Sequence, residues 1–527
     1  MRALILIFLL PLSLSAQYKY WISLSDKGGQ TISTTEVSLS ERAIERRSRQ
    51  NIAVSVSDLP VYIDYIQEVR NLGFKIINRS RWFNGIMVST NDSFLVNSLA
   101  SLPFVTDYYN FQIQNTSNNR LSNKLEVIDS NFYGDSFTQL NMLNGYDMHQ
   151  LGYQGEGMQI AVLDAGFRKV DELTAFESLF ENKQILGTWD FVAQESSVYE
   201  DHSHGMAVLS TIGARLEGEF VGTAPKAKFW LLRTEDAVSE NLIEEYNWLC
   251  AAEFADSVGA DIINSSLGYT TFDIAEQNHT YTDLDGRTTP ISKAAVMASR
   301  KGIIVCSSAG NYGNNSWYYI GTPADADSIL SVGAVYADET PTSFSSFGPS
   351  ADNRVKPSVS AQGGNTTIYS AGDYVSTSNG TSFSAPIIAG MTACLWQANP
   401  DKTNMEVMNA IIQSAHLYNT PDDQLGYGIP NYTLANVLLS IEDETDPFLS
   451  IYPNPLKKYS QLYAFVAGAK NITYSLYDLE GKLLAYQEVN SLSRIIQIDI
   501  PPLSIGVYLL EVLVGDERLQ ERIVVVK

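Results

Sequence analysis

Four residues far apart in the chain carry side chains that can act together: Asp164, His204, Asn311 and Ser382. A serine hydroxyl becomes a nucleophile when a base takes its proton. A carboxylate then holds that base in the right tautomer, and preorganised donors receive the oxyanion that forms. Ser382 lies in Asn379-Gly380-Thr381-Ser382-Phe383-Ser384-Ala385-Pro386, ahead of the apolar run Ile387-Ile388-Ala389-Gly390-Met391. This reads as a Gly-bearing turn that delivers the serine to the start of a buried helix. Backbone N–H groups there have no intrahelical partner, and the helix dipole favours negative charge. Each piece also has a plainer reading. Serine is a common helix cap, Asp and Asn are common turn formers, and a lone histidine is commonly structural. His202, two residues before His204, is a second candidate base. The catalytic reading is favoured because all four roles are filled in a chain with only five histidines.

These residues fall where elements begin and end. From about Tyr133 to Val437, short apolar runs alternate with helical patterns: Met158–Leu163, Ala227–Leu232, Ala260–Ser265, Gly302–Ser307 and Ile329–Val335. That alternation predicts βαβ units and a parallel sheet. Catalysis in such sheets belongs at the carboxyl ends of the strands. Asp164 ends one run, and Ser308-Ala309-Gly310-Asn311 follows another. His204 opens a small, apolar helix, His204-Gly205-Met206-Ala207-Val208-Leu209-Ser210-Thr211-Ile212.

With these motifs the chain resembles the subtilisin-like serine proteases, or subtilases. The matching pieces are Val162-Leu163-Asp164-Ala165-Gly166, His204-Gly205-Met206-Ala207-Val208, Ser308-Ala309-Gly310-Asn311 and Gly380-Thr381-Ser382-Phe383-Ser384-Ala385-Pro386. Gly222-Thr223-Ala224-Pro225 and Asn264-Ser265-Ser266-Leu267-Gly268 look like the family's intervening landmarks. The resemblance implies a three-layer α/β fold with a central, mostly parallel sheet. It implies a triad of Asp164, His204 and Ser382, with Asn311 at the oxyanion. It also implies a substrate cleft lined by Ser266, Leu267, Gly268, Ser308, Ala309 and Gly310. It selects His204 over His202, because Gly205 must follow the base. Ala165, Ala207 and Phe383 depart from the usual family residues; they bear on fine specificity and remove no catalytic atom. The family requires no cofactor but often carries structural calcium, and no dense run of oxygen ligands places one in this sequence.

The 527 residues divide into several units. Residues 1–16 have one Arg, an apolar run and small residues before Ala16, which predicts a cleaved secretory signal. Residues 17–118 carry ten Lys/Arg and nine Asp/Glu, so almost all of the formal net charge of −24 lies downstream. Such acidity argues against a nucleic-acid or anionic-membrane partner. The N-terminal unit reads as a small α+β domain, with a helix from Ser38 to Gln50 that places Arg46-Arg47 on its surface, a second from Val61 to Leu72, and a third from Asp92 to Leu102. It resembles a subtilase propeptide, the intramolecular inhibitor, and it ends in the polar stretch Asn115–Arg120. The enzyme domain spans 125–440 and an acidic linker 441–448. Residues 449–527 read as a small all-β sandwich. They resemble the C-terminal sorting domain of type IX secretion through Tyr452-Pro453-Asn454-Pro455, Tyr477-Asp478-Leu479-Glu480-Gly481-Lys482, Gly506-Val507-Tyr508 and Ile523–Lys527. The implied protein is a monomeric zymogen exported through the periplasm of a Gram-negative, Bacteroidetes-like bacterium to the surface or medium. Its partners would be protein or peptide substrates, its own propeptide and the type IX machinery. Three widely spaced cysteines offer neither a disulfide framework nor metal-ligand spacing and read as core residues.

Other readings are distinguishable. An α/β-hydrolase using Ser382, Asp401 and His416 lacks the Gly-x-Ser-x-Gly turn. An adhesin on a retired protease scaffold has no need of all four site residues. Glu235-Asp236, after the strand Phe229–Leu232, reads as a solvated acidic loop, with basic subsites as the alternative.

Overall fold

The structure, a computed structural model, describes residues 18–33, 36–111, 132–440, 449–452, 456–457, 462–466, 472–489, 495–514 and 517–526. The signal segment, the stretch Asn115–Arg120, the acidic linker 441–448 and Pro453-Asn454-Pro455 lie outside the described residues. One compact unit ends at Leu439 and a second begins at Ser440.

The N-terminal residues form β1 (Tyr18–Leu24), α1 (Glu41–Arg49), α2 (Ile63–Asn71), β2 (Lys75–Ser80), β3 (Gly85–Thr90) and β4 (Val105–Asn110). The four strands make an antiparallel sheet in the order β2-β3-β1-β4. The third expected helix is instead a 3₁₀ stretch, Leu95–Ser101. Ser98 Oγ donates to the Leu95 carbonyl and Ser101 Oγ to that of Ser98, at 2.6 and 2.7 Å. Such back-bonding competes with regular α-helical pairing.

Arg46 and Arg47 are not on the surface. They are 0% and 2% exposed, and both reach Asp256, at 2.6 and 2.5 Å. Their neighbours in sequence are polar, so local pattern points them outward. A carboxylate some two hundred residues away turns them in.

The central sheet collects β5 (Gln159–Asp164), β6 (Ile185–Asp190), β7 (Lys228–Arg233), β8 (Ile262–Ser265), β9 (Ile304–Ser308), β10 (Leu330–Val335) and β11 (Val359–Gln362). Its order is β11-β10-β9-β8-β5-β7-β6 and every neighbouring pair is parallel. A sheet covered on both faces needs strands that are apolar on both faces. In β5, Ile160 and Val162 enter one core while Ala161 and Leu163 enter the other; Ile262 and Ile263 of β8 divide the same way. Each such fully buried aliphatic side chain is worth roughly 1.5–3 kcal/mol. On one side lie α3 (His204–Gly213) and α6 (Thr381–Ala398); on the other lie α4 (Ile243–Val258) and α5 (Pro290–Arg300). This is the expected three-layer α/β arrangement. Strand order reverses between β5 and β8, the point where open sheets place ligands.

The N-terminal unit packs on the α4 side. Trp21, Trp82, Met87 and Phe111 share one apolar cluster with Trp248, Leu249 and Ala252. Cys250, Cys306 and Cys394 are buried free thiols.

In the second unit, Leu449–Tyr452, Leu462–Val466 and Ile495–Ile498 form one sheet. Leu456–Lys457, Glu517–Val526, Gly506–Val514, Ile472–Tyr477 and Leu483–Val489 form another. Their inward residues, among them Ile451, Leu462, Tyr474, Leu510 and Ile523, make one core, as the alternating apolar pattern requires.

Candidate active site

Asp164 is the last residue of β5 and is fully buried. Its Oδ1 accepts the Ala165 N–H at 2.8 Å and faces His204 Nδ1 at 2.7 Å. A proton on Nδ1 makes that second contact a hydrogen bond and leaves Nε2 as the basic nitrogen. Burial pulls the imidazole pKa down. The charge of Asp164 and its hydrogen bond, with the charge of Glu235, outweigh burial and carry it up to about 8. His202 takes a different part: its Nδ1 accepts the His204 N–H at 3.3 Å, and burial and His204 hold it below the usual histidine range.

The close approach of α3 to β5 depends on Gly205. A Cβ at that position would stand 2.6 Å from the Gly166 carbonyl and 2.8 Å from Asp164 Cβ. Gly205→Ala must therefore push His204 away from its carboxylate. The expected result is a fall in kcat/KM of about a hundredfold, the scale of an ångström-sized misplacement, with far-UV circular dichroism unchanged.

Ser382 is the second residue of α6, so its N–H has no intrahelical acceptor. The preceding Gly380 has φ +152° and ψ +147°, a conformation that L side chains rarely adopt. Pro386 lies inside the same helix and has no N–H to give the Ser382 carbonyl one turn back. Ser266 fills that place, its Oγ donating to Ser382 O at 2.8 Å. Ser382 Oγ in turn donates to the Ser266 carbonyl at 3.3 Å, its one hydrogen bond among the described residues. Catalytic hydrogen bonds are often incomplete until substrate arrives.

Asn311 follows β9. Its Oδ1 accepts both the Thr381 N–H, at 2.9 Å, and Thr381 Oγ1, at 3.1 Å. That double contact fixes the amide plane and leaves Nδ2 as the free donor. Thr381 Oγ1 also accepts the Gly310 N–H at 3.2 Å. The threonine beside the nucleophile thus ties the Asn311 loop to the helix start, a part that sequence reasoning left unassigned although Thr381 stood in the motif.

A cleft of about 330 Å³ brings these groups together: His204, Ser382, Asn311, Ser266, Leu267, Gly268, Ser308 and Gly310 all line it. Ala309 is the exception among the expected lining residues. Its methyl packs with Ile320 and Ala324, because it alternates to the opposite face from Ser308 and Gly310. Tyr312 joins the wall, its hydroxyl donating to the Gly268 carbonyl at 3.1 Å. Glu235 also lines the cleft; it is half-buried, in a loop whose residues Ala237 and Val238 are exposed. Burial and the charge of Asp164 push its carboxyl up to about 7. His416 is engaged elsewhere, its Nδ1 accepting the Ile429 N–H at 2.9 Å.

The fold and cleft define an α/β protein in which Asp164, His204, Asn311 and Ser382 come together beside the carboxyl ends of a parallel sheet. The Subtilase family model matches residues 155–428, more than half of the chain, and the protein belongs to that family. Residues 19–126 match the peptidase S8 propeptide domain of Bacteroidota, and residues 450–526 match the secretion system C-terminal sorting domain. Subtilisin NAT of Bacillus subtilis subsp. natto is 31% identical over 272 residues, 51% of this chain and 63% of that protein. The chain thus spans a little under two thirds of the length of that relative. Subtilisin of Bacillus pumilus is 30% identical over 292 residues, 55% of this chain and 94% of that one. A solved structure of MycP1 with its propeptide removed has TM-score 0.46 and 23% identity, covering 58% of this chain and 98% of that one.

Proposed function

We propose that the protein is a secreted serine endopeptidase made as a zymogen. The observation that carries this reading is the 2.7 Å contact of Asp164 with His204 in the cleft where Ser382 and Asn311 also lie. Ser382 Oγ leaves the Ser266 carbonyl, gives its proton to His204 Nε2 and attacks the scissile carbonyl carbon. The Asn311 side chain and the Ser382 N–H receive the oxyanion. His204 then protonates the leaving amine, Asp164 stabilising the imidazolium. Water, deprotonated by His204, releases the acyl group and restores Ser382. The chain's own residues and water fill every role.

Removing the side-chain donor by Asn311→Ala is expected to lower kcat by about 10²–10³ with KM little changed, the loss characteristic of one oxyanion-hole donor. Steady-state kinetics on a chromogenic peptide check it. The base must be neutral to act, and Asp164 raises the His204 pKa to about 8. The kcat/KM profile is therefore expected to climb with rising pH and reach half its plateau near pH 8. A midpoint near 6.5, the ordinary histidine value, would mean that Asp164 does not raise the pKa of the base.

The small residues Ser266, Gly268, Ser308 and Gly310 leave room in the cleft for a large apolar side chain of a peptide substrate. The N-terminal unit is the inhibitor that must be removed, and the tail directs export by the type IX route to the surface or medium. Fluorophosphonate labelling at Ser382 separates the peptidase from a retired scaffold, which would stay unlabelled.

A further inference from the structure

From Glu235 in the cleft wall inward, three carboxylates converge. Glu235 and Glu240 lie between β7 and α4, and Glu244 lies in the first turn of α4. Each presents an oxygen within 4.8 Å of the other two. We propose that Glu235, Glu240 and Glu244 hold a calcium ion that ties the segment after β7 to the start of α4.

The argument begins with charge. Three ionised carboxylates this close repel one another strongly out of bulk water. Of the nearby cationic groups, Arg233 is already shared among Asp190, Asp201 and Asp236, at 2.7, 3.1 and 3.8 Å, His204 is held by Asp164, and Lys19 lies beside Asp236. The positive end of α4 offers roughly half a charge, well short of three. Without a cation the cluster must take up protons.

A second observation is independent of the acids themselves. The Tyr269 hydroxyl is buried, with the residue 1% exposed, and it has no hydrogen-bond partner. Glu235, Glu244 and Glu240 are the acids whose charges act most strongly on it. Glu244, 2% exposed, likewise leaves Oε2 unpartnered. A proton cancels one charge and lets one carboxyl donate to one neighbour. A hard cation with its waters cancels the charge and binds all three oxygens at once.

The donor set also selects the ion. It is oxygen only, as calcium prefers, with no histidine or cysteine to favour zinc. Two oxygens that each lie 2.3–2.6 Å from calcium are at most about 5 Å apart, a span that includes the observed separation. A basic substrate side chain could meet Glu235 from the cleft, but Glu244 is buried, which fits a small ion. Glu235 and Glu240, both half-buried, would give the ion its way in.

The test uses the full chain carrying Ser382→Ala, so that self-digestion does not interfere. It is compared with the same chain carrying also Glu240→Gln and Glu244→Gln. After stripping with EDTA, calcium chloride is titrated calorimetrically at pH 8. Thermal unfolding is followed in EGTA and in millimolar calcium. The expected result is one more bound calcium in the parent than in the variant, and a calcium-dependent rise in the parent Tm of about 5 °C beyond that of the variant, the scale of saturating a site. In EGTA the two chains should be of similar stability, since protonated acids and amides are both uncharged; in calcium the parent should be the more stable. Equal stoichiometry in the two chains, or a Tm difference between them unchanged by calcium, overturns the proposal. Should the double variant not fold, the single Glu240→Gln, at a half-buried position, gives the same comparison. Binding is the readout, so the result does not depend on peptidase activity.

Discussion

Replacing Ser382 with alanine should lower kcat by about 10⁶, the largest effect of any single substitution in the chain. That figure is the scale of removing the nucleophile from an Asp-His-Ser triad. The residual rate would come from the oxyanion donors, because Asn311 Nδ2 and the residue 382 N–H survive the change. Thr381 holds Asn311 from the backbone N–H and hydroxyl of its own residue, so alanine at 382 leaves that clamp in place. His204→Ala should cost about as much as Ser382→Ala, and the two together little more, since the three residues act as a unit. Both chains should also accumulate with the N-terminal unit uncut. To separate processing from turnover, the variants are incubated with a trace of active parent, repurified and assayed on casein. Activity within tenfold of the parent after that treatment would mean that Ser382 is not the nucleophile. Failure to react with a fluorophosphonate in the parent would carry the same message.

That Asp164, His204, Asn311 and Ser382 come together was legible in the sequence because each sits in a short local motif. Asp164 ends an apolar strand, His204 is followed by the Gly205 that its helix needs, and Ser382 lies two residues after Gly380 and four before Pro386. Each motif encodes a backbone requirement, so it survives in a single sequence. The parallel sheet was legible for the same reason, since strands buried on both faces have to read as apolar runs. What escaped was set by partners distant in the chain. Arg46 and Arg47 look like solvated residues until Asp256 is brought against them. Glu235, Glu240 and Glu244 are spaced five and four apart across a loop and a helix start, a spacing that matches no ligand motif, and only the fold brings them together. Ala309 was assigned to the cleft by its neighbours, although the alternation of side chains along an extended segment turns it away.

The propeptide interface carries the second large prediction. Asp256 is buried on α4 and receives Arg46, Arg47 and Arg81 of the N-terminal unit, at 2.6, 2.5 and 2.9 Å. Arg47 also reaches Asp58 at 2.9 Å, and Lys301 of the enzyme domain contacts the same Asp58 at 2.9 Å. Nearby, Glu253 accepts the backbone N–H groups of Arg81 and Trp82, at 2.9 and 3.1 Å. Charges crossing the boundary in both directions make one network, with few of its groups open to solvent. Breaking a buried pair by deleting one partner typically costs about 3–5 kcal/mol, because the other charge stays buried and unpaired. Asp256→Ala would leave Arg46 at 0% exposure without its carboxylate, and the arginines are bound to the enzyme domain only while the two parts are docked. The strain is therefore relieved by undocking. In the Ser382→Ala background, which keeps the chain uncut, Asp256→Ala should make the N-terminal unit separable from the enzyme domain. Limited trypsin digestion should remove it at least tenfold faster than from the parent, while the core of the enzyme domain resists. In the active background the same change should shorten latency, so that casein hydrolysis begins sooner after refolding. An Asp256→Ala chain whose N-terminal unit resists trypsin as long as the parent would show that the apolar contacts of Trp21, Trp82 and Phe111 hold the interface without the ion network.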